Sequence, residues 1–124
     1  MYAPYRDRAI LRDNLIASKI LGLVSVIISG DINCIIGLDE VWRWSKKVDT
    51  MANQIKDAIM DYNFVDICPS KIVPTWENGR SGEGYVAKRL DCFLLHEQVV
   101  ERLGNVQSEV VNIYIYDHRL IILH

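Results

Sequence analysis

Asp31 with Asn33, Asp91, and Asp117 with His118 each stand where an apolar stretch gives way to a polar turn. Carboxylates, a carboxamide and an imidazole gathered in one place suit the metal-assisted hydrolysis of a phosphate ester. A hard cation such as Mg²⁺ uses one or two carboxylates and leaves its other positions to water and phosphate. An imidazole oriented by a carboxylate is a fixed proton donor or base. An amide holds a nucleophile in line. Spacing alone leaves two readings open. The groups form one cluster at neighbouring strand ends, or they are separate turn residues, since Gly-Asp and Asn are ordinary in turns.

The elements that must position these groups follow from the hydrophobic pattern. Ile20 to Ile28 is short, β-branched and almost uninterrupted, which predicts a strand buried on both faces. An extended chain past Gly30 turns Asp31 and Asn33 to the same side. Before it, Met1 to Pro4 reads as a strand end stopped by proline. Arg6 to Lys19 reads as a helix with Ile10, Leu11, Leu15 and Ile16 on one face. Cys34 to Lys47 is predicted as a loop. Its Trp42 and Trp44 either stack on bases or anchor the loop to the core.

A helix over Asp49 to Tyr62 carries an apolar stripe of Met51, Ile55, Ala58, Ile59 and Tyr62. Phe64 to Ile67 is a short apolar segment, and Ile72 to Trp76 reads as a strand. Asn78 to Gly84 holds the turn residues of a hairpin loop, and Tyr85 to Leu95 returns as a strand. Glu97 to Leu103 is a short helical turn, and Val106 to Ile115 and Leu120 to Leu123 are strands. The order of elements predicts an α+β or layered α/β unit, a sheet with helices on one face.

The totals bound the rest. At 124 residues the chain is one small domain with a modest core. It is 50% hydrophobic with a mean hydropathy of +0.07, so either its core is well filled or it keeps an apolar face for a partner. A net charge of -2 supplies no general attraction to nucleic acid. Cys34, Cys68 and Cys92 are too scattered for a zinc site or a disulfide framework, and read as reduced thiols in an intracellular, nuclear or cytoplasmic setting. No apolar run approaches the ~20 residues of a membrane-spanning helix, and the opening residues lack the apolar core of a secretory signal. His96 and His124 read as plain surface residues.

A set of short motifs then resembles the endonuclease/exonuclease/phosphatase superfamily, the group of exonuclease III and deoxyribonuclease I. Within it the chain looks most like the nuclease domain of plant LINE-type non-LTR retrotransposons. Tyr2-Ala3-Pro4 matches a Tyr-Ala-Pro strand end, and Gly30-Asp31-Ile32-Asn33 matches Gly-Asp-Phe-Asn. Phe64-Val65-Asp66-Ile67 matches the segment after a helix, and Thr75-Trp76-Glu77-Asn78 matches Thr-Trp-x-Asn. Arg89-Leu90-Asp91-Cys92-Phe93-Leu94 matches Arg-Leu-Asp-Arg-Phe-Leu, and Tyr116-Asp117-His118 matches Ser-Asp-His. The motifs keep the family's order along the whole chain.

The resemblance implies roles. Tyr2 would hydrogen-bond the scissile phosphate. Asp31 and Asn33 would position the attacking water and bind phosphate. Asp91 would orient His118, which would donate to a phosphoryl oxygen or act as base. Asp117 would lie at the metal, Mg²⁺ or Mn²⁺, and the substrate by resemblance is DNA; apart from the resemblance, the neighbouring cations Lys88 and Arg89 are placed to meet a phosphate backbone, a small electrostatic footprint.

Tyr116 and Cys92 depart from the pattern, a bulkier group and a lost positive charge. The resemblance covers only the second half of the family domain, a four-layer αββα sandwich. The first half supplies an early Asn and the Glu that is the main metal ligand. It therefore implies an incomplete metal site and an uncovered sheet face, open to the missing half or to a second copy. A catalytically dead retrotransposon-derived fragment and an interaction module are the alternatives to an active phosphodiesterase.

Overall fold

Asp91–His96 (β6) carries apolar side chains on both of its sides, and it takes the central place in a three-stranded sheet. The structure, a computed structural model, describes Ile10, 13–14, Ala17, Lys19, Leu23, 25–32, 41–43 and 50–124. Around β6, Ile27–Asp31 (β1) and Phe64–Asp66 (β3) pair antiparallel on either side. Cys92 and Leu94 pack with Phe64, Val26, Ile28 and Ile32, and with Ile59 of the helix Thr50–Asp61 (α1). Leu95, fully buried, packs with Ile67, with Leu123, and with Val99 of the helix Glu97–Leu103 (α2). Burying a side chain of this size stabilises the fold by about 1.5–3 kcal/mol.

Val41–Arg43 (β2), Trp76–Glu77 (β4), Val86–Lys88 (β5), Ser108–Ile115 (β7) and His118–Leu123 (β8) make a second antiparallel sheet, in the order β2-β5-β4-β8-β7. The α+β class expected from the sequence is the observed one, and its strands divide between two sheets. Asn78 shapes the β4–β5 connection: its Nδ2 donates to the Gly84 carbonyl at 2.8 Å, and its Oδ1 accepts from the Arg80 and Val86 amides at 3.1 Å each. The β7–β8 turn is Tyr116-Asp117, with Ile115 paired to His118. Tyr116 takes a left-handed φ of 58° and stands 97% exposed, so its bulk points away from the sheet.

The two sheets are joined where the chain leaves β5 and enters β6. The Thr75 hydroxyl, fully buried, accepts hydrogen bonds from the Leu90 amide at 3.0 Å and the Asp91 amide at 3.1 Å. The Thr75 carbonyl accepts from the Arg119 amide at 2.7 Å, and the Ile32 amide donates to the Leu90 carbonyl at 3.1 Å. One threonine therefore ties β6 to β8.

Several expectations need correction. The strand expected over Ile20 to Ile28, buried on both faces, begins among the described residues at Ile27 and runs to Asp31. Among the described residues it is paired on one side only, and its side chains alternate between the faces: Ile28 joins the core while Ile27 is 49% exposed. Gly30 within it has φ 112°, a conformation that disfavours a Cβ. The strand expected over Ile72 to Trp76 is reduced to Trp76–Glu77. Within the expected loop, Val41–Arg43 is a strand whose Val41 is buried. Most of the helix expected over Arg6 to Lys19 lies outside the described residues, of which Ile10, Asp13, Asn14 and Ala17 are helical. The Met1 to Pro4 strand end and Trp44 also lie outside the described residues. His96 is no surface residue. It is 6% exposed, packs edge-on to Phe64 and caps α2 by accepting from the Gln98 amide at 3.2 Å.

Thr75→Val removes the acceptor of two buried amides and keeps the side-chain shape. It is expected to destabilise the fold by about 2 kcal/mol or more, read from the urea midpoint, while Thr75→Ser, which keeps the hydroxyl acceptor, is expected to retain most of the stability.

Candidate active site

Asp31 and Asp91 face each other directly across the β1–β6 ladder, and His118 opens β8 opposite Trp76. The Thr75 link sets the two sheets so that these residues meet. His118 Nδ1 lies 2.8 Å from Asp91 Oδ2. His118 Nε2 lies 3.6 Å from Asp31 Oδ2 and 3.8 Å from Asp117 Oδ1. An ionised carboxylate only accepts, so the neutral imidazole carries its proton on Nδ1 toward Asp91 and presents the Nε2 lone pair to the other two acids. Asp91 and His118 are the sheltered pair, with side chains 13% and 19% exposed. Asp31 and Asp117 sit at the open rim, at 28% and 38%. Trp76 Nε1 donates to Asp117 Oδ2 at 2.7 Å.

The donor set fits a hard cation. Asp31, Asp91 and His118 each offer one ligand atom, and these atoms lie within 4.8 Å of one another. Three carboxylates around one imidazole repel each other, and a bound cation relieves that repulsion. Asp91 is engaged by the imidazole, and Asp117 stands outside this group, its Oδ1 3.8 Å from His118 Nε2.

Strand alternation carries Glu77 and Arg119, the neighbours of Trp76 and His118, to the other face of the sheet, where they form a second polar group. Glu77 accepts from the Tyr85 hydroxyl at 3.2 Å and the Tyr114 hydroxyl at 3.3 Å, and Arg119 Nε donates to the Tyr114 hydroxyl at 2.8 Å. Burial, and then the hydrogen bond to Glu77, push the Tyr85 hydroxyl above its usual titration range.

Of the residues singled out in the sequence, the structure brings together Asp31, Asp91, Asp117 and His118. Tyr2 and Asn33 lie outside the described residues. Arg89, expected to meet the substrate, is corrected. It is 4% exposed, and its guanidinium makes a two-pronged pair with Asp66 at 2.7 Å on each arm. A guanidinium buried and paired in this way is a strut under β6, and only its neighbour Asp91 faces the cluster. Sequence reasoning assigned no role to Thr75, Trp76 or Asp66. A signal existed for Trp76, since a buried indole N–H needs an acceptor. None existed for the Arg89–Asp66 pairing, which joins distant strands.

No family model matches the chain, and no curated protein matches it. The chain is similar to the endonuclease domain of TRAS1, a telomere-specific non-LTR retrotransposon, with a TM-score of 0.64 and 20% identity. The likeness covers 93% of this chain and 49% of that one, so the chain spans about half the length of that structure. At this identity the likeness is one of fold.

Two predictions follow from the geometry. Asp66→Ala leaves the Arg89 charge buried without its bidentate partner and is expected to cost about 3–5 kcal/mol in urea unfolding. The double change Arg89→Met with Asp66→Leu is expected to cost clearly less. Asp91→Asn is expected to move neutral His118 from the Nδ1–H tautomer toward the Nε2–H tautomer, read from its imidazole ¹⁵N shifts.

Proposed function

We propose that this chain is a phosphodiesterase domain of the endonuclease/exonuclease/phosphatase type, acting on DNA with a divalent cation, Mg²⁺ or Mn²⁺. The observation that carries the reading is His118. One ring nitrogen is held by Asp91, and the other faces two further carboxylates, in a fold shared with a retrotransposon endonuclease domain.

In this reading His118 Nε2 takes the proton of a water as its oxygen bonds to phosphorus and the phosphodiester P–O bond breaks. The charged imidazole then donates to a phosphoryl or leaving oxygen. Asp91 keeps the ring in the required tautomer and stabilises the imidazolium. Asp31 lies on the Nε2 side, where it accepts from the same water and orients it. Asp31, on the open rim of the donor group, would hold the cation, with Asp117 at the metal by family resemblance; the cation would supply polarisation of a phosphoryl oxygen. Asn33 and Tyr2 enter as phosphate contacts by family resemblance.

A second reading, a retrotransposon-derived interaction module without activity, is favoured by a separate observation. Ile113 and Ile115, on the sheet-edge strand β7, are 58% and 57% exposed. Large apolar side chains on an open edge suit pairing with another chain.

Nicking of supercoiled plasmid decides between the two. With Mg²⁺ the purified chain is expected to nick. EDTA is expected to abolish the activity, and His118→Ala to lower it by about 100-fold or more. Folded protein that does not nick overturns the phosphodiesterase reading in favour of the module, which predicts a discrete dimer on gel filtration.

A further inference from the structure

Trp76 is 9% exposed, and its ring packs in a cluster with Val41, Leu90 and Val86. Its backbone is set as firmly, paired to Lys88 on one side and to His118 on the other. An indole so enclosed does not rotate to find a new partner. Its single N–H is a donor only. That donor meets Asp117 Oδ2 at 2.7 Å, within the short range of hydrogen bonds to a charged acceptor. The residue after Trp76 adds a backbone tie, the Glu77 amide donating to the Asp117 carbonyl at 3.4 Å. Asp117 itself stands on an exposed two-residue turn, next to a residue at positive φ. A turn of that kind does not by itself hold a carboxylate at one angle. The rigid group in the pair is the tryptophan.

We propose that Trp76 is a positioning residue that orients Asp117. By engaging Oδ2, the indole sets the carboxylate plane and directs Oδ1 toward His118 Nε2, 3.8 Å away. The two oxygens of one acid thus take different tasks, one structural and one facing the reacting groups. The functional part of this inference rests on the phosphodiesterase reading; the coupling of Trp76 to Asp117 does not.

Trp76→Phe deletes the N–H and keeps an aromatic ring in the core, and Asp117→Ala deletes the acid. In Mg²⁺-supported nicking, Trp76→Phe is expected to lower kcat by about tenfold with KM within about twofold, the mark of lost orientation rather than lost binding. In the Asp117→Ala background, Trp76→Phe is expected to lower kcat no further. A purely structural tryptophan would give losses that multiply.

Independently of activity, the Trp76 indole ¹H–¹⁵N resonance is identified by its disappearance in Trp76→Phe. It is expected to lie downfield and to move upfield in Asp117→Ala, but not in Asp31→Ala. An indole resonance indifferent to Asp117→Ala, or kcat losses that multiply, overturns the inference. Wild-type protein that fails to nick while the indole resonance responds to Asp117→Ala overturns the phosphodiesterase reading and leaves the coupling standing.

Discussion

The structure depends on one buried hydroxyl. Thr75 Oγ1 accepts from two consecutive amides, Leu90 and Asp91, at the point where the chain passes from one sheet to the other. A buried amide left without an acceptor costs about 1–3 kcal/mol. The same threonine receives the Arg119 amide on its carbonyl. Asp91 on β6 and His118 on β8 are therefore held by the two ends of a single residue. The 2.8 Å contact between them is a consequence of that link.

Around this pin the molecule separates its charges by burial. Arg89 and Asp66 form a two-pronged sheltered pair, with side chains 3% and 16% exposed, and the guanidinium contributes rigidity beneath β6. Asp31, Asp91 and Asp117 share a single imidazole near the surface. The Asp31 and Asp91 carboxylate oxygens, within 4.8 Å of each other, repel by about 3 kcal/mol at a surface-like dielectric. Such a cluster lowers stability and raises affinity for whatever positive charge enters it. Repulsion of this kind is a common feature of sites tuned for chemistry rather than for folding.

Tryptophan and tyrosine donors hold two acids at β4, Asp117 beside the cluster and Glu77 on the other face of the strand. Trp76 reaches Asp117, and Tyr85 with Tyr114 reaches Glu77. Neutral donors steady a carboxylate without cancelling its charge. The arrangement explains why the hairpin turn tolerates Tyr116 in a left-handed conformation. The turn is anchored from behind by Trp76 and Glu77, so the exposed ring is free of packing demands.

The sequence by itself determined the α+β class, the bounds of the helix Glu97–Leu103, the hairpin loop after Asn78, and the side chains able to do chemistry. These are local properties, set by periodicity, capping and turn residues. Only the tertiary structure decided that β1, among the described residues, is paired on one side only, that His96 is a buried cap, that Arg89 turns to Asp66, and that Thr75 joins the sheets. Each depends on partners far apart in the chain, such as Arg89 with Asp66 or Asp91 with His118. An alternating pattern tells which side chains share a face. Which faces meet is settled by the hydrogen bonds and packing that distant segments form only after they come together.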